Sequence, residues 1–224
     1  MITTDDNRDD RAVVEALRRV VAAPTEADLA VHHSRFRARA DREGLVDVAY
    51  DIADSPFGAL LVAATPEGLV RVAFACEDHD AVLGQLAANV SPRVLRLTSR
   101  TDLVARQLDE YFAGTRRSFD VPLDLRLVHG FRRTVLDRLA DIAYGTTATY
   151  TSIAALVGKP GAARAVGSAC SHNPVPLVLP CHRVVRSDGM SGHYLGGAIT
   201  KVALLAFERA ARSAATGGGQ VLIG

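Results

Sequence analysis

Tryptophan is absent from the 224 residues, and cysteine occurs only three times, as Cys76, Cys170 and Cys181. The three cysteines are far apart and form no CxxC pair, which argues against a disulfide framework and against a structural zinc site. Apolar runs are too short for a transmembrane span. The start of the chain, MITTDDNRDD, lacks the basic and apolar stretches of a secretory signal, so we expect a cytoplasmic protein with reduced thiols. From these absences we expect no metal, no cofactor and no membrane partner.

The net charge of +1 hides an asymmetry between two parts of the chain. Residues 130–212 contain ten Lys or Arg and four Asp or Glu, a balance of +6 that leaves −5 for all other residues. A basic part of this kind suits a polyanion such as nucleic acid. Ordinary surface charge is the alternative, so the asymmetry favours a nucleic-acid partner without requiring one.

The texture of the sequence divides the chain into four parts. Residues 1–45 predict a helical extension of unknown role. Short β-rich segments separated by turn residues, together with helical patterns, predict an α/β domain with an antiparallel sheet in residues 46–125. Residues 126–212 predict a mostly helical domain, and residues 213–224 a flexible tail. The extension carries an arginine series that fits either a solvated basic face or a DNA-contacting arm: Arg35, Arg37, Arg39 and Arg42.

Two short helical patterns in residues 149–171 are joined by the turn GKPG, which is the outline of a helix-turn-helix. Any helical hairpin gives the same outline. The second helix consists of small residues, among them Ala162 and Ala163 at its start, apart from Arg164. Small side chains let a backbone approach DNA closely, and an arginine can enter the base stack. Close packing between helices is the alternative explanation.

The stretch VLPCHRVVRS places Cys181 directly before His182. By itself this stretch fits a core residue, a metal ligand or a nucleophile. For a nucleophile, His182 can take the thiol proton directly or through a water, and Glu208 could orient the histidine. A surface-facing Glu208 fits the spacing equally well. Upstream, Asn173 and three prolines predict an Asn-closed turn followed by a stiff, extended segment that delivers the cysteine.

The stretch NPVPLVLPCHRVVRSDG resembles the active-site stretch of the O6-alkylguanine-DNA alkyltransferases, also called methylated-DNA–protein-cysteine methyltransferases. Its PCHRV core is the family hallmark. TATYTSIAALVGKPGAARAVGSA before it and GHYLGGAITKVALLAFE after it support the resemblance, which extends weakly back to about Val46 and covers roughly three quarters of the chain. It implies an RNase H-like α/β domain followed by a winged-helix-like, DNA-binding and catalytic domain with a helix-turn-helix.

The resemblance also implies a reaction. The alkyl group of O6-alkylguanine, and also of O4-alkylthymine, moves irreversibly from double-stranded DNA to Cys181. The damaged nucleotide is flipped out of the duplex to be reached. Each protein molecule accepts one alkyl group, so the enzyme is stoichiometric. We expect it to act as a monomer without cofactor or metal.

Residue roles follow from the same resemblance. Cys181 accepts the alkyl group, His182 relays its proton through water, and Glu208 orients His182. Asn173 holds the turn before the active-site strand. Tyr150 acts at the phosphate and the guanine of the flipped nucleotide, and gives the leaving guanine its proton.

Further roles concern DNA and the guanine pocket. The residues implied to contact DNA are Arg164, Ala162, Ala163 and Tyr150. Arg164 fills the gap that the flipped nucleotide leaves. Tyr194 contacts the guanine, and Val184 offers a backbone carbonyl to the amino group of the base. Leu195 stands where many relatives have a small or polar residue, which leaves the accepted alkyl size open, and the role of Lys201 is open as well.

Other functions remain compatible with parts of the pattern. A non-catalytic binder of alkylated DNA would use the same fold, although such proteins replace the acceptor cysteine that is present here as Cys181. A cysteine hydrolase could use Cys181 with His182, but would have no need of a helix-turn-helix. A plain DNA-binding module would have Cys181 in its core.

Overall fold

The computed structural model describes residues 12–15, 25–190 and 192–217, with side chains as far as residue 212. The chain divides into two compact units, Met1–Gly44 and Leu45–Gly224.

In the first unit, helix α1 spans Glu26–Arg42. Thr25 caps it, because its hydroxyl accepts from the backbone N–H of Asp28 while the Asp28 carboxylate accepts from the backbone N–H of Thr25. Residues 12–15 are helical too, whereas the rest of residues 1–24, in the predicted helical extension, lies outside the described residues. Arg35, Arg39 and Arg42 of α1 are exposed and Arg37 is half-buried, which leaves both interpretations of the arginine series open.

The second unit contains the strands and the remaining helices, all within its described part. In chain order these are β1 (Val48–Ala53), β2 (Leu60–Thr65), β3 (Gly68–Ala73), α2 (His79–Asn89), β4 (Val94–Arg96), α3 (Asp102–Phe112), α4 (Gly130–Leu139), β5 (Ala148–Thr149), α5 (Tyr150–Leu156), α6 (Ala163–Ser171), β6 (Val184–Val185) and α7 (Ala198–Gly217). An α/β part followed by a mostly helical part agrees with the predicted fold class. No described helix has both the length and the apolar character needed to cross a bilayer.

The larger sheet has the strand order β3-β2-β1-β4. Strands β1, β2 and β3 form the predicted antiparallel meander, and every residue of β2 is buried. Strand β4 differs from the prediction, since it pairs in parallel with β1, with Val94 opposite Val48. The reason is the connection through α2, because a helix that crosses over brings the next strand back in the same direction.

One hydrophobic core runs across the predicted boundary near residue 125. Leu60 and Tyr111 on one side of that boundary belong to the same buried cluster as Leu139 and Cys181 on the other. Backbone bonds cross it as well, since the N–H of Val72 donates to the carbonyl of Pro174 at 2.8 Å. The core therefore holds the sheet directly against the segment that carries Cys181.

The helical part departs from the prediction in two places. Strands β5 and β6 form a short parallel pair, with Thr149 opposite Val185, and this pair joins the start of α5 to the segment after Cys181. Helix α7 continues to Gly217, so the tail predicted from residue 213 begins inside a helix. Residues 218–224 lie outside the described part.

Candidate active site

The loop before Cys181 is closed by Asn173, which is fully buried. The Asn173 side-chain amide donates to the carbonyl of Leu179 at 2.7 Å, and its oxygen accepts from the N–H of Val175 at 3.1 Å. The extended segment predicted here is wrong, because the N–H of Leu179 also donates to the carbonyl of Val175 and folds the loop into a turn. Leu177 has a φ of 72°, a left-handed conformation that is rare outside glycine. The fixed φ of proline suits such a turn as well as an extended chain.

Cys181 begins a 3₁₀ turn, Cys181–Arg183, and is only 1% exposed. Burial raises the pKa of its thiol to about 11, although a hydrogen bond from the Asn173 side chain and the charge of Lys201 favour the thiolate. The thiol is therefore protonated at neutral pH. A nucleophile in this state needs a base beside it.

His182 and Glu208 are both fully buried, and His182 Nε2 lies 2.9 Å from Glu208 Oε1. Burial acts to raise the pKa of Glu208, but hydrogen bonds from His182 and Arg183 outweigh it and bring the pKa to about 2. Burial lowers the pKa of His182, so its imidazole is neutral at physiological pH. Because the carboxylate can only accept, Nε2 carries the proton and Nδ1 carries the lone pair. Nδ1 has no hydrogen-bond partner within the described residues, and it is free to act as a base.

Three further groups hold Glu208, and the alternative of a surface-facing Glu208 is excluded. Arg183 donates to both carboxylate oxygens at 2.9 Å, the Tyr111 hydroxyl donates to Oε1 at 2.7 Å, and the N–H of Gly145 donates to Oε2 at 3.0 Å. We refer to Cys181, His182, Arg183 and Glu208 as the relay cluster. Sequence reasoning missed Tyr111, Gly145 and the role of Arg183. Of these three residues, only Arg183 could have been found from the sequence, because it lies inside the PCHRV motif.

Lys201 is fully buried, and its ammonium donates to the carbonyl of Val184 at 2.6 Å and lies 3.4 Å from the Tyr150 hydroxyl. The Val184 carbonyl predicted for a guanine amino group thus already accepts from Lys201, and its second lone pair can accept another donor. Tyr194 is buried, with its ring edge-on to His182 at 6.1 Å. Lys201 and Tyr194 therefore both border the relay cluster.

A cavity of about 670 Å³ opens beside α6, and we call it the Tyr150 cavity. Its lining includes Tyr150, Ala163, Arg164, Gly167, Arg186 and His193. Burial raises the pKa of Tyr150 to about 12, so its hydroxyl keeps its proton at neutral pH. A Cβ at position 192 would lie 2.5 Å from the Tyr150 hydroxyl, so any larger residue than glycine there would displace the end of the tyrosine side chain. Ala162 caps the start of α6.

Comparisons with known proteins bear on this arrangement. Residues 48–125 match the family model for the ribonuclease-like domain of 6-O-methylguanine DNA methyltransferase, and residues 130–210 match the model for its DNA binding domain. The methylated-DNA–protein-cysteine methyltransferase of Methanosarcina barkeri is 37% identical over 159 residues, which cover 71% of this chain and 96% of that protein. The chain belongs to the methylated-DNA–protein-cysteine methyltransferase family. The resemblance stated from the sequence is confirmed.

Other members of the methyltransferase family agree in sequence and in structure. The protein named for the same activity in Mycolicibacterium paratuberculosis is 38% identical over 162 residues, covering 72% of this chain and 93% of that one. The crystal structure of Mycobacterium tuberculosis O6-methylguanine methyltransferase covers 73% of this chain and 93% of its own, with 36% identity and a TM-score of 0.64. The structure of the same protein in complex with DNA has the same identity and TM-score. The α1 helix lies before the matched ranges.

Leu195, which the resemblance assigns to the substrate pocket, lines a second cavity, of about 400 Å³, together with Arg71 and Pro174. It also packs against the buried cluster that contains Cys181 and Tyr194. Its carbonyl accepts a hydrogen bond from the Cys76 thiol at 3.4 Å. The place of Leu195 in the substrate pocket therefore stays a prediction, whereas Tyr150, Ala163 and Arg164 line one cavity.

Proposed function

We propose that this chain repairs alkylated guanine in DNA by moving the alkyl group from O6 of the base to Sγ of Cys181. One observation carries the proposal: a buried cysteine stands next to a neutral histidine whose other nitrogen is held by an ionised, fully buried Glu208. Membership of the methyltransferase family supports the same reaction. A non-catalytic binder would not need this relay.

The chemistry balances with the groups present. His182 Nδ1 takes the thiol proton, through a water where direct contact is not made, and Glu208 stabilises the resulting imidazolium. The sulfur attacks the alkyl carbon, a C–S bond forms, and the C–O6 bond breaks with its electron pair remaining on the guanine. The Tyr150 hydroxyl, whose raised pKa keeps it protonated, donates to the leaving guanine. His182 then gives up its added proton and Tyr150 regains the one it donated, both by exchange with solvent, so that in net terms one proton moves from Cys181 to the base.

Double-stranded DNA carrying the damaged base is the proposed partner. An O6-alkyl group lies inside the duplex, so the nucleotide has to be extruded before the sulfur can reach it. Arg164 is exposed and stands among small residues at the Tyr150 cavity, which suits an arginine that replaces the flipped base in the stack. We extend the proposal to O4-alkylthymine, and to a monomer that acts in the cytoplasm.

The product explains a single turnover. A thioether on Cys181 is stable, and the other members of the relay cluster, His182, Arg183 and Glu208, provide acid and base rather than a nucleophile for its removal. Each molecule therefore accepts one alkyl group, and the protein is consumed in the reaction.

A duplex with one O6-methylguanine tests the proposal. The Cys181 peptide should gain the mass of one methyl group, and the yield should stop at one methyl per protein molecule. A duplex with O4-methylthymine, run in parallel, tests the wider substrate range. Binding to the methylated duplex without a mass gain would overturn the alkyltransferase assignment in favour of a binding protein.

A further inference from the structure

The relay cluster receives one hydrogen bond from the ribonuclease-like part of the chain. Tyr111 lies on α3, within the matched range 48–125, and its hydroxyl donates to Glu208 Oε1 at 2.7 Å. Tyr111 and Glu208 are both completely buried. We propose that Tyr111 is a positioning residue for alkyl transfer, because its hydroxyl keeps Glu208 Oε1 in place for His182 and disperses its charge. This inference rests on the proposed function of the relay.

The packing around the Tyr111 ring fixes the direction in which its hydroxyl points. Its ring is surrounded by other rings at centroid distances of 5.2 to 6.0 Å, those of Phe112, Phe119, Tyr144 and Phe207. Burial, followed by the charge of Glu208, raises the pKa of Tyr111 far above its ordinary value, so the phenol keeps its proton. The packed ring and the protonated hydroxyl make Tyr111 a fixed donor aimed at Oε1.

The bond matters because Oε1 is the oxygen that His182 uses. Oε1 accepts from Tyr111, from His182 Nε2 and from Arg183 Nη2. Each added donor withdraws negative charge from this oxygen. Without the Tyr111 hydroxyl, Oε1 is more basic and favours the imidazolium form of His182, so the pKa of His182 rises.

A Tyr111→Phe variant lacks the Tyr111 hydroxyl but keeps the charged groups that face His182. Glu208 raises the pKa of His182, whereas Arg183 and Lys201 lower it. Cys181 and Tyr194 face the ring in their neutral forms, because burial raises the pKa of both. A change in the titration of His182 on removing the Tyr111 hydroxyl therefore reports on the bond to Glu208.

Tyr144 supplies a matched control. Its ring lies 6.0 Å from that of Tyr111 in the same aromatic cluster, and its hydroxyl is buried without a hydrogen-bond partner in the described part of the chain. Tyr144→Phe removes one oxygen from this cluster and leaves the bonds of Glu208 intact. Tyr111→Phe removes one oxygen and breaks one of those bonds.

The experiment measures the single-turnover rate of methyl transfer to Cys181, as a function of pH, for the full chain and both variants. Tyr111→Phe should slow transfer about tenfold below neutral pH, the effect of one hydrogen bond to a charged group. The acid limb of its pH profile should move to higher pH. Tyr144→Phe should match the unmodified chain in both respects, and thermal melting shows whether each variant is folded.

A second variant gives the opposite sign and covers the case in which Tyr111→Phe does not fold. Tyr111→3-fluorotyrosine keeps the hydroxyl and makes it a stronger donor, so the acid limb should move to lower pH. An unmoved acid limb in these variants, or an equal effect in Tyr144→Phe, would overturn the role of Tyr111. Failure of the unmodified chain to transfer any methyl group would instead overturn the proposed function.

Discussion

The relay cluster and the Tyr150 cavity are both built from the C-terminal, mostly helical part of the chain but use polar groups in opposite ways. In the relay cluster, Glu208 is fully buried and bonded to four donor residues from three different places in the sequence. At the Tyr150 cavity, Arg164 is exposed and its neighbours are small. Buried charges are costly to leave unpaired, whereas exposed ones are not. Changes in the relay cluster should therefore affect stability and transfer together, whereas changes at the cavity should affect transfer with little effect on stability.

The largest effect should come from removing the sulfur of Cys181, the proposed acceptor in the relay cluster. Cys181→Ala should abolish methyl transfer, because no other sulfur occupies the 3₁₀ turn, and should leave affinity for methylated duplex nearly unchanged. Mass analysis of the protein and a DNA-binding titration check the two halves of this prediction. Loss of transfer and affinity together would mean that Cys181 serves mainly to support the structure.

Glu208→Gln disrupts the hydrogen bonds and the ion pair of the relay cluster. Removing one partner of a buried ion pair leaves Arg183 uncompensated, and we expect a loss of about 3–5 kcal/mol in the free energy of unfolding. Transfer should slow about a hundredfold, the usual scale for a misplaced general base. Denaturant unfolding and single-turnover kinetics measure these quantities. Glu77→Gln, which breaks the partly buried Arg71–Glu77 pair elsewhere in the fold, should cost less stability and leave the transfer rate unchanged.

Acid should weaken the relay cluster in the same way. The pKa of Glu208 is lowered from its ordinary 4.5 to about 2 in the folded chain. Its stabilising contribution is therefore complete above pH 4.5 and is lost as the pH falls towards 2. Melting temperatures recorded on acidification should fall more steeply for the unmodified chain than for Glu208→Gln. Parallel curves would contradict the assignment of Glu208 as the ionised partner.

Arg164→Ala tests the exposed side of the comparison. Without a side chain to hold the gap, extrusion of the base from a duplex becomes costlier, and transfer should slow about tenfold. Attack on free O6-methylguanine needs no extrusion and should change much less. Stability should stay within experimental error, since the side chain is exposed. Equal losses on both substrates would argue against a role in extrusion.

Gly192→Ala should have the smallest effect. The new Cβ would meet the Tyr150 hydroxyl at 2.5 Å, so the tyrosine has to shift by a fraction of an ångström. We expect transfer to slow about threefold, since small displacements of a proton donor weaken general acid catalysis. Gly84→Ala is the control, because a Cβ on this exposed position of α2 meets nothing within 4 Å. A similar slowing of transfer in both variants would contradict the role of the contact between position 192 and Tyr150.

The features predicted correctly are those written in contiguous residues. The β1–β3 meander follows from short apolar segments divided by turn residues, and the closing of the loop by Asn173 follows from an asparagine before a proline-rich stretch. The extended shape predicted for that stretch failed because proline fixes φ and not ψ, so Leu177 could turn the chain back. The place of Leu195 in the substrate pocket came from motif position alone and stays a prediction, since Leu195 lines a second cavity and also packs against the core cluster that contains Cys181.

The sequence by itself determined the family and the PCHRV motif, in which the proposed acceptor Cys181 stands next to the proposed base His182, because these depend on residue types at fixed local spacing. Only the tertiary structure decided which states those groups adopt. Burial keeps the Cys181 thiol protonated and His182 neutral, and Glu208 is ionised because His182 and Arg183, 26 and 25 residues away in the chain, donate to its carboxylate. Protonation depends on solvent exclusion and on bonds between residues far apart in the chain. Both arise only when the core closes.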